Sequence, residues 1–212
     1  MKKLLLGLSA SLAISTLSIS TAHATLFDRG SGMIYDSAQD ITWLQDANYA
    51  QTSGYDADGK MTWDVSNTWA DSLTVGGFSD WRLFDAAPSD TNCSMNFTPS
   101  GYATQNYGYN CTANELGSLF YNDFGLSQYD SITSSTTSAY NLFDNVQSYV
   151  YWSGTQYAPN TNFAWGFYTY NGVQDTSYKD FELYAWAVRS GDVAAVPEPS
   201  SLFLLAFGLL GF

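Results

Sequence analysis

Short apolar runs broken by turn residues recur along this chain, and they limit its fold more than any other feature. Met33-Ile34-Tyr35, Ile41-Thr42-Trp43-Leu44, Trp81-Arg82-Leu83-Phe84, Tyr149-Val150-Tyr151-Trp152, Phe163 to Tyr170 and Tyr184 to Val188 are rich in β-branched and aromatic residues. Runs of this length and composition predict strands. Asn171-Gly172 closes one of them and predicts a hairpin in which Val173 to Tyr178 returns. Only two stretches carry a helical period. Val65, Trp69 and Leu73 form the first, with Thr62 or Asp64 as cap and Gly76-Gly77 as stop. Leu116, Leu119, Phe120 and Phe124 form the second, opened by Thr112-x-x-Glu115 in the pattern of a capping box and closed by Gly125. Two long polar connections, 85–110 and 127–141, interrupt the series, and the second is expected to be mobile. The order of elements predicts an α+β fold with an antiparallel sheet, two helices and long loops.

Seven Trp, sixteen Tyr and thirteen Phe supply a sizeable core. The tryptophans lie in the predicted strands and helices and read as core residues. Tyr102, Tyr107 and Tyr109 instead sit in the first long connection without periodicity, and form the candidate binding loop. Cys93 and Cys111 flank that connection.

The two ends of the chain read as addresses. Lys2 and Lys3, an apolar run from Leu4 to about Ile19, and Ala22-His23-Ala24 have the layout of a secretory signal peptide cleaved after Ala24. Export makes a Cys93–Cys111 disulfide the default, closing a loop worth about 3 kcal/mol by chain entropy. At the other end, VPEP is followed by an apolar stretch, Ser201 to Phe212. As a helix it would rise about 18 Å, short of a hydrocarbon core of about 30 Å. The expected organisation is a signal peptide at 1–24, one domain at 25–193 and a tail at 194–212.

Cleavage removes the one histidine, His23, and two of the seven basic residues. Five basic residues against twenty acidic ones leave a net charge of −15. Such a surface repels nucleic acid, anionic glycans and anionic headgroups. Without histidine, Ser-His-Asp and Cys-His catalysis are excluded, as is the commonest metal ligand. No catalytic residues and no cofactor are assigned. Glu115 and Glu182 are the only domain glutamates, so a two-carboxylate hydrolase is the lesser alternative. Asp56-Ala57-Asp58-Gly59 resembles part of a calcium loop, but Lys60 and Val65 break the pattern, leaving Asp56 and Asp58 as a weak calcium candidate. Arg82 and Arg189, inside predicted strands, are expected to pair with carboxylates. Asn92, Asn96 and Asn110 head formal glycosylation sequons, which mark surface loops.

ITWLQDANYA, MTWDVSNTWADSL, GGFSDWRL, CTANELGSLFYND, YVYWSGTQYAPNTNFAWGF and YAWAVRSGD, in that order, resemble the Lcl C-terminal domain family over most of 28–192. That resemblance implies a layout similar to C-type-lectin-like and sulfatase-modifying-factor folds. The family pattern DWRLP departs here, with Phe84 after Leu83, which alters the exit of that strand. The resemblance implies a non-catalytic cell-surface or extracellular-matrix role in binding or organising polysaccharide. The alternative is a structural envelope component with no small ligand. Family adhesion to sulfated glycans does not suit so acidic a chain, and neutral glycans or a surface protein are the better partners. Pro197, Glu198 and Pro199 with the apolar stretch resemble a PEP-CTERM sorting signal lacking its arginine-rich end. This implies processing by an exosortase-type enzyme, transient membrane contact through the tail, and a surface or matrix location in a Gram-negative bacterium.

Overall fold

A computed structural model describes residues 26–193. The expected signal peptide with its Ala24 site and the Pro197-Glu198-Pro199 motif lie outside the described residues. In chain order the elements begin with β1 (Leu26–Gly30), β2 (Met33–Asp36), β3 (Ile41–Leu44), α1 (Tyr49–Thr52), β4 (Lys60–Met61), α2 (Trp63–Ser72) and β5 (Arg82–Leu83). A small hairpin of β6 (Met95–Phe97) and β7 (Gln105–Tyr107) follows, then α3 (Glu115–Ser118) running into a π-helical turn, Leu119–Asp123. Two 3-10 turns, Ile132–Ser134 and Tyr140–Leu142, lead to β8 (Val150–Gln156), β9 (Phe163–Tyr168), β10 (Val173–Tyr178), β11 (Leu183–Ala185) and β12 (Ala187–Ser190). The class is α+β.

Two five-stranded sheets carry the fold, in the orders β1-β2-β3-β12-β5 and β10-β9-β8-β11-β4, with β6-β7 as a separate pair. All pairs are antiparallel except β8 with β11. The single run predicted from Tyr184 to Val188 is two strands in two sheets, and Trp186 stands at the change-over. Its ring is fully buried against Trp43 (5.1 Å), Phe143 (5.2 Å) and Tyr151 (5.7 Å). Its Nε1 donates to the Leu44 carbonyl at 2.7 Å. One side chain thus ties β3, β8 and both final strands, filling volume and satisfying its polar atom together.

Six of the seven tryptophans are buried at 2% exposure or less, as expected of core residues. Trp63 is half-buried. The first helix differs from its predicted stripe: α2 buries Ser66, Trp69 and Ala70, while Val65 is exposed. Its predicted cap, Thr62, stands at the N-cap without a side-chain bond, and the helix ends at Ser72, ahead of Gly76-Gly77. In the second helix Leu116, Leu119, Phe120 and Phe124 are all buried. Its cap is Asn114, whose side chain accepts from the Gly117 N–H at 2.9 Å, rather than the Thr112–Glu115 box. Glu115 is drawn away by Arg82, which it meets through two bonds of 2.7 and 2.8 Å. A bidentate guanidinium outcompetes one backbone N–H for a carboxylate. The 127–141 connection is docked: Ile132 is fully buried, its N–H donates to the Thr169 carbonyl, and Ser135 Oγ donates to the Phe124 carbonyl.

Candidate functional site

The β9–β10 hairpin builds the site. Its turn needs Gly172: φ is +86°, and a Cβ there would come within 2.6 Å of the Tyr121 hydroxyl oxygen. In register, Phe163 opposes Tyr178 and Trp165 opposes Thr176. Residues two apart on a strand share a face, so these four side chains lie on one side of the hairpin. Tyr157 follows β8 and packs on the same row, 6.4 Å from Phe163 and 5.6 Å from Trp165. Phe163 and Tyr178 stack at 4.1 Å, and Phe181 lies 5.8 Å beyond. The result is an unbroken file of rings: Trp165, Tyr157, Phe163, Tyr178, Phe181. Tyr178 and Phe181 are about half exposed, at 50% and 52%.

A cleft opens at Trp165 and Tyr157, and a groove at Tyr178 toward the other end of the file. The cleft holds about 170 Å³. Phe97, Tyr107, Tyr157 and Trp165 wall it, and Gln105, Asp175 and Thr176 supply its polar groups. Trp165 is buried there, outside the main hydrophobic cluster, and its Nε1 has no hydrogen-bond partner. Burial pushes the Asp175 carboxyl above the usual carboxylate range. The groove is larger, about 630 Å³, and polar. Thr62, Asp64, Asn162, Tyr178, Lys179 and Asp180 are among its lining residues. The Lys179 ammonium is already engaged, 3.9 Å from the centre of the Trp63 ring and 2.6 Å from Gln156 Oε1.

The long connection that forms the cleft's outer wall is pinned in three ways. Cys93 and Cys111 are joined as a disulfide. Gly108 and Gln174 exchange backbone bonds of 2.8 Å in both directions. The buried Gln174 amide is the third tie. Its Oε1 accepts from the Ala87 N–H (3.1 Å) and Asn114 Nδ2 (2.8 Å), and its Nε2 donates to the Asn106 (3.0 Å) and Ala87 (3.2 Å) carbonyls. A buried amide with both ends satisfied fixes the connection on β10. Nothing in the sequence marks Gln174, which reads as an ordinary polar position of an alternating strand.

The three loop tyrosines are dispersed. Tyr107 lines the cleft. Tyr102 stands in a turn between β6 and β7, 48% exposed. Tyr109 packs on Tyr129, ring centres 4.7 Å apart. Phe97, Tyr157, Phe163 and Phe181 join the site without having been singled out, because only strand register and the crossing hairpin bring them together.

The remaining candidates have local partners. Asp56 Oδ1 accepts from the Asp58 and Gly59 N–H groups. Asp58 takes the Lys60 N–H and, at 3.0 Å, its ammonium, which holds the carboxyl below its ordinary range. Among the described residues no three His, Cys, Asp or Glu side chains are grouped as a metal would need. Arg82 and Arg189 pair with Glu115 and Asp80. Asp46 and Asp144 share a third cavity of about 160 Å³, but both Asp46 oxygens are taken, by the Asn48 N–H and Asn145 Nδ2.

Residues 195–212 match the PEP-CTERM protein-sorting motif. The motif marks an exported, membrane-anchored or surface protein of a Gram-negative bacterium, processed by an exosortase-type enzyme. No helix among the described residues is long and apolar enough to cross a membrane. No curated protein and no solved structure matches the chain.

Proposed function

We propose that this is a non-catalytic cell-surface or extracellular-matrix protein whose domain, residues 25–193, is of the Lcl C-terminal type and holds a neutral polysaccharide in the cleft under the β6–β7 hairpin. The cleft itself carries the reading: four aromatic rings enclose a space that has an amide, a hydroxyl and a carboxyl at its edge. A pyranose offers flat C–H faces and a hydroxyl rim, and such a space meets both. At about 170 Å³ it is below the usual size of small-molecule sites and suits one ring of a longer chain. A lectin-like layout is supported by the terminal strand β12 pairing beside β3 near the N-terminus.

Charge supports the neutral class. Arg29, Lys60, Arg82 and Arg189 are each consumed by an ion pair, so no cluster of free cations faces outward among the described residues. A glycan array probed with the purified chain, with and without calcium, tests the proposal. Binding to at least one neutral glycan, weakened in Phe97→Ala, is expected. Silence across all neutral glycans overturns it.

A further inference from the structure

Resting on that reading, we infer that the ligand is an extended, uncharged polymer held at two connected subsites: the cleft takes one ring, and the file of aromatic side chains carries the chain on into the groove at α2. A site for a single terminal sugar would need only the cleft. Here the rings run on past it without a gap, each centre 4.1 to 6.4 Å from the next. The far members, Tyr178 and Phe181, are half exposed, so burial does not explain them. Tyr178 lines a groove of about 630 Å³ against the cleft's 170 Å³, which accommodates several further units, and Phe181 follows one residue after the groove's Asp180.

The groove's polar groups select for hydroxyls. Asn162, Thr62 and Thr161 donate and accept, and Asp64 and Asp180 accept only. Lys179 is the one cation among the described residues in no ion pair, but its ammonium is spent on Trp63 and Gln156, and two carboxylates flank it. Uronate or sulfate chains would therefore meet net negative charge, whereas sugar hydroxyls find acceptors.

The test uses glucan, mannan and N-acetylglucosamine ladders of one to six units, titrated into the purified full chain by calorimetry. Affinity for the ladder that binds is expected to rise at least tenfold from two units to six. Tyr178→Ala and Phe181→Ala should each cost the hexamer fivefold or more and leave the shortest binding ligand unchanged. Phe181 lies outside the strands, so its variant keeps the test valid where Tyr178→Ala disturbs the hairpin. Length-independent affinity, or full hexamer binding in Phe181→Ala, overturns the second subsite and leaves the cleft standing. Tighter binding of alginate or heparin overturns the uncharged class. Absence of binding to every ladder overturns both subsites together.

Discussion

Replacing Asp123 by Asn should stabilise the protein, and by an amount that grows with pH. Asp123 closes the π-helical turn, and its Oδ2 is buried without a hydrogen-bond partner. Burial first, and then the neighbouring Asp36, push its carboxyl up to about 7. Asp36, fully buried, accepts from the Ala38 and Gln39 N–H groups and, at 2.7 Å, from Gln39 Nε2. The folded value lies above the unfolded one, 3.8. Below about pH 4 both states hold the proton and there is no penalty. From there to about 7 the unfolded chain ionises while the folded one does not, so stability falls as pH rises, and beyond 7 the loss is complete. Each unit is worth about 1.4 kcal/mol, which sets a ceiling of about 4 kcal/mol, and partial solvent access lowers that to about 2–4. Asparagine keeps the shape and cannot ionise. Urea unfolding of both proteins at pH 5 and pH 8 checks this, away from the isoelectric point near 4.1. The advantage of Asp123→Asn should widen by about 1–2.5 kcal/mol between the two pH values, the titrating groups that do not interact with Asp123 cancelling in the difference. An advantage that stays constant, or narrows, refutes the assignment.

Two further outcomes follow from how the cleft wall is held. Gln174→Ala strands the Ala87 N–H and the Asn114 amide in a buried position, and should cost about 2–4 kcal/mol. Hydrogen exchange should locate the loosening in 85–114 rather than in β8 or β9. Cys93→Ser with Cys111→Ser opens a loop of sequence separation 18, and should cost about 3 kcal/mol, which for a domain of this size is a melting temperature lower by about 6–12 °C. Glycan binding should weaken in the same variant, because Phe97 and Tyr107 stand on the hairpin between the two cysteines.

The fold was legible where one residue pattern sufficed. Alternation and turn chemistry place β2, β3, β8, β9 and the Asn171-Gly172 hairpin, because short-range sterics decide them. The cap of the second helix was misread because Glu115 had two possible partners, and the one chosen, Arg82, lies 33 residues away in sequence. Val65 was misread because α2 is covered on one narrow side only, which its spacing to Trp69 cannot reveal. Of the site, Tyr107 was visible as a loop aromatic. The rest was not: Trp165 carries the same sequence signature as Trp152, yet one lines a cleft and the other fills the core. Strand pairing and the hairpin laid across it make that difference, and neither is written in the local pattern.

The placement of the site also reconciles the sorting tail with the proposed binding role. Both ends of the described chain belong to the first sheet, through β1 and β12, and Arg29 and Asp192 clasp them together at 2.6 Å. Val193 is buried, so the fold holds the chain to within a few residues of the motif at 195–212. The ring file lies on β9 and β10, at the far edge of the other sheet, three strand spacings or about 14 Å beyond β11. Trp186 is the junction between the two sheets. The described chain therefore leaves from the first sheet, while the ring file stands on the second. The charge works in the same sense: the excess of acidic residues repels anionic headgroups, while the uncharged rings form the surface on which the proposed uncharged chain would lie.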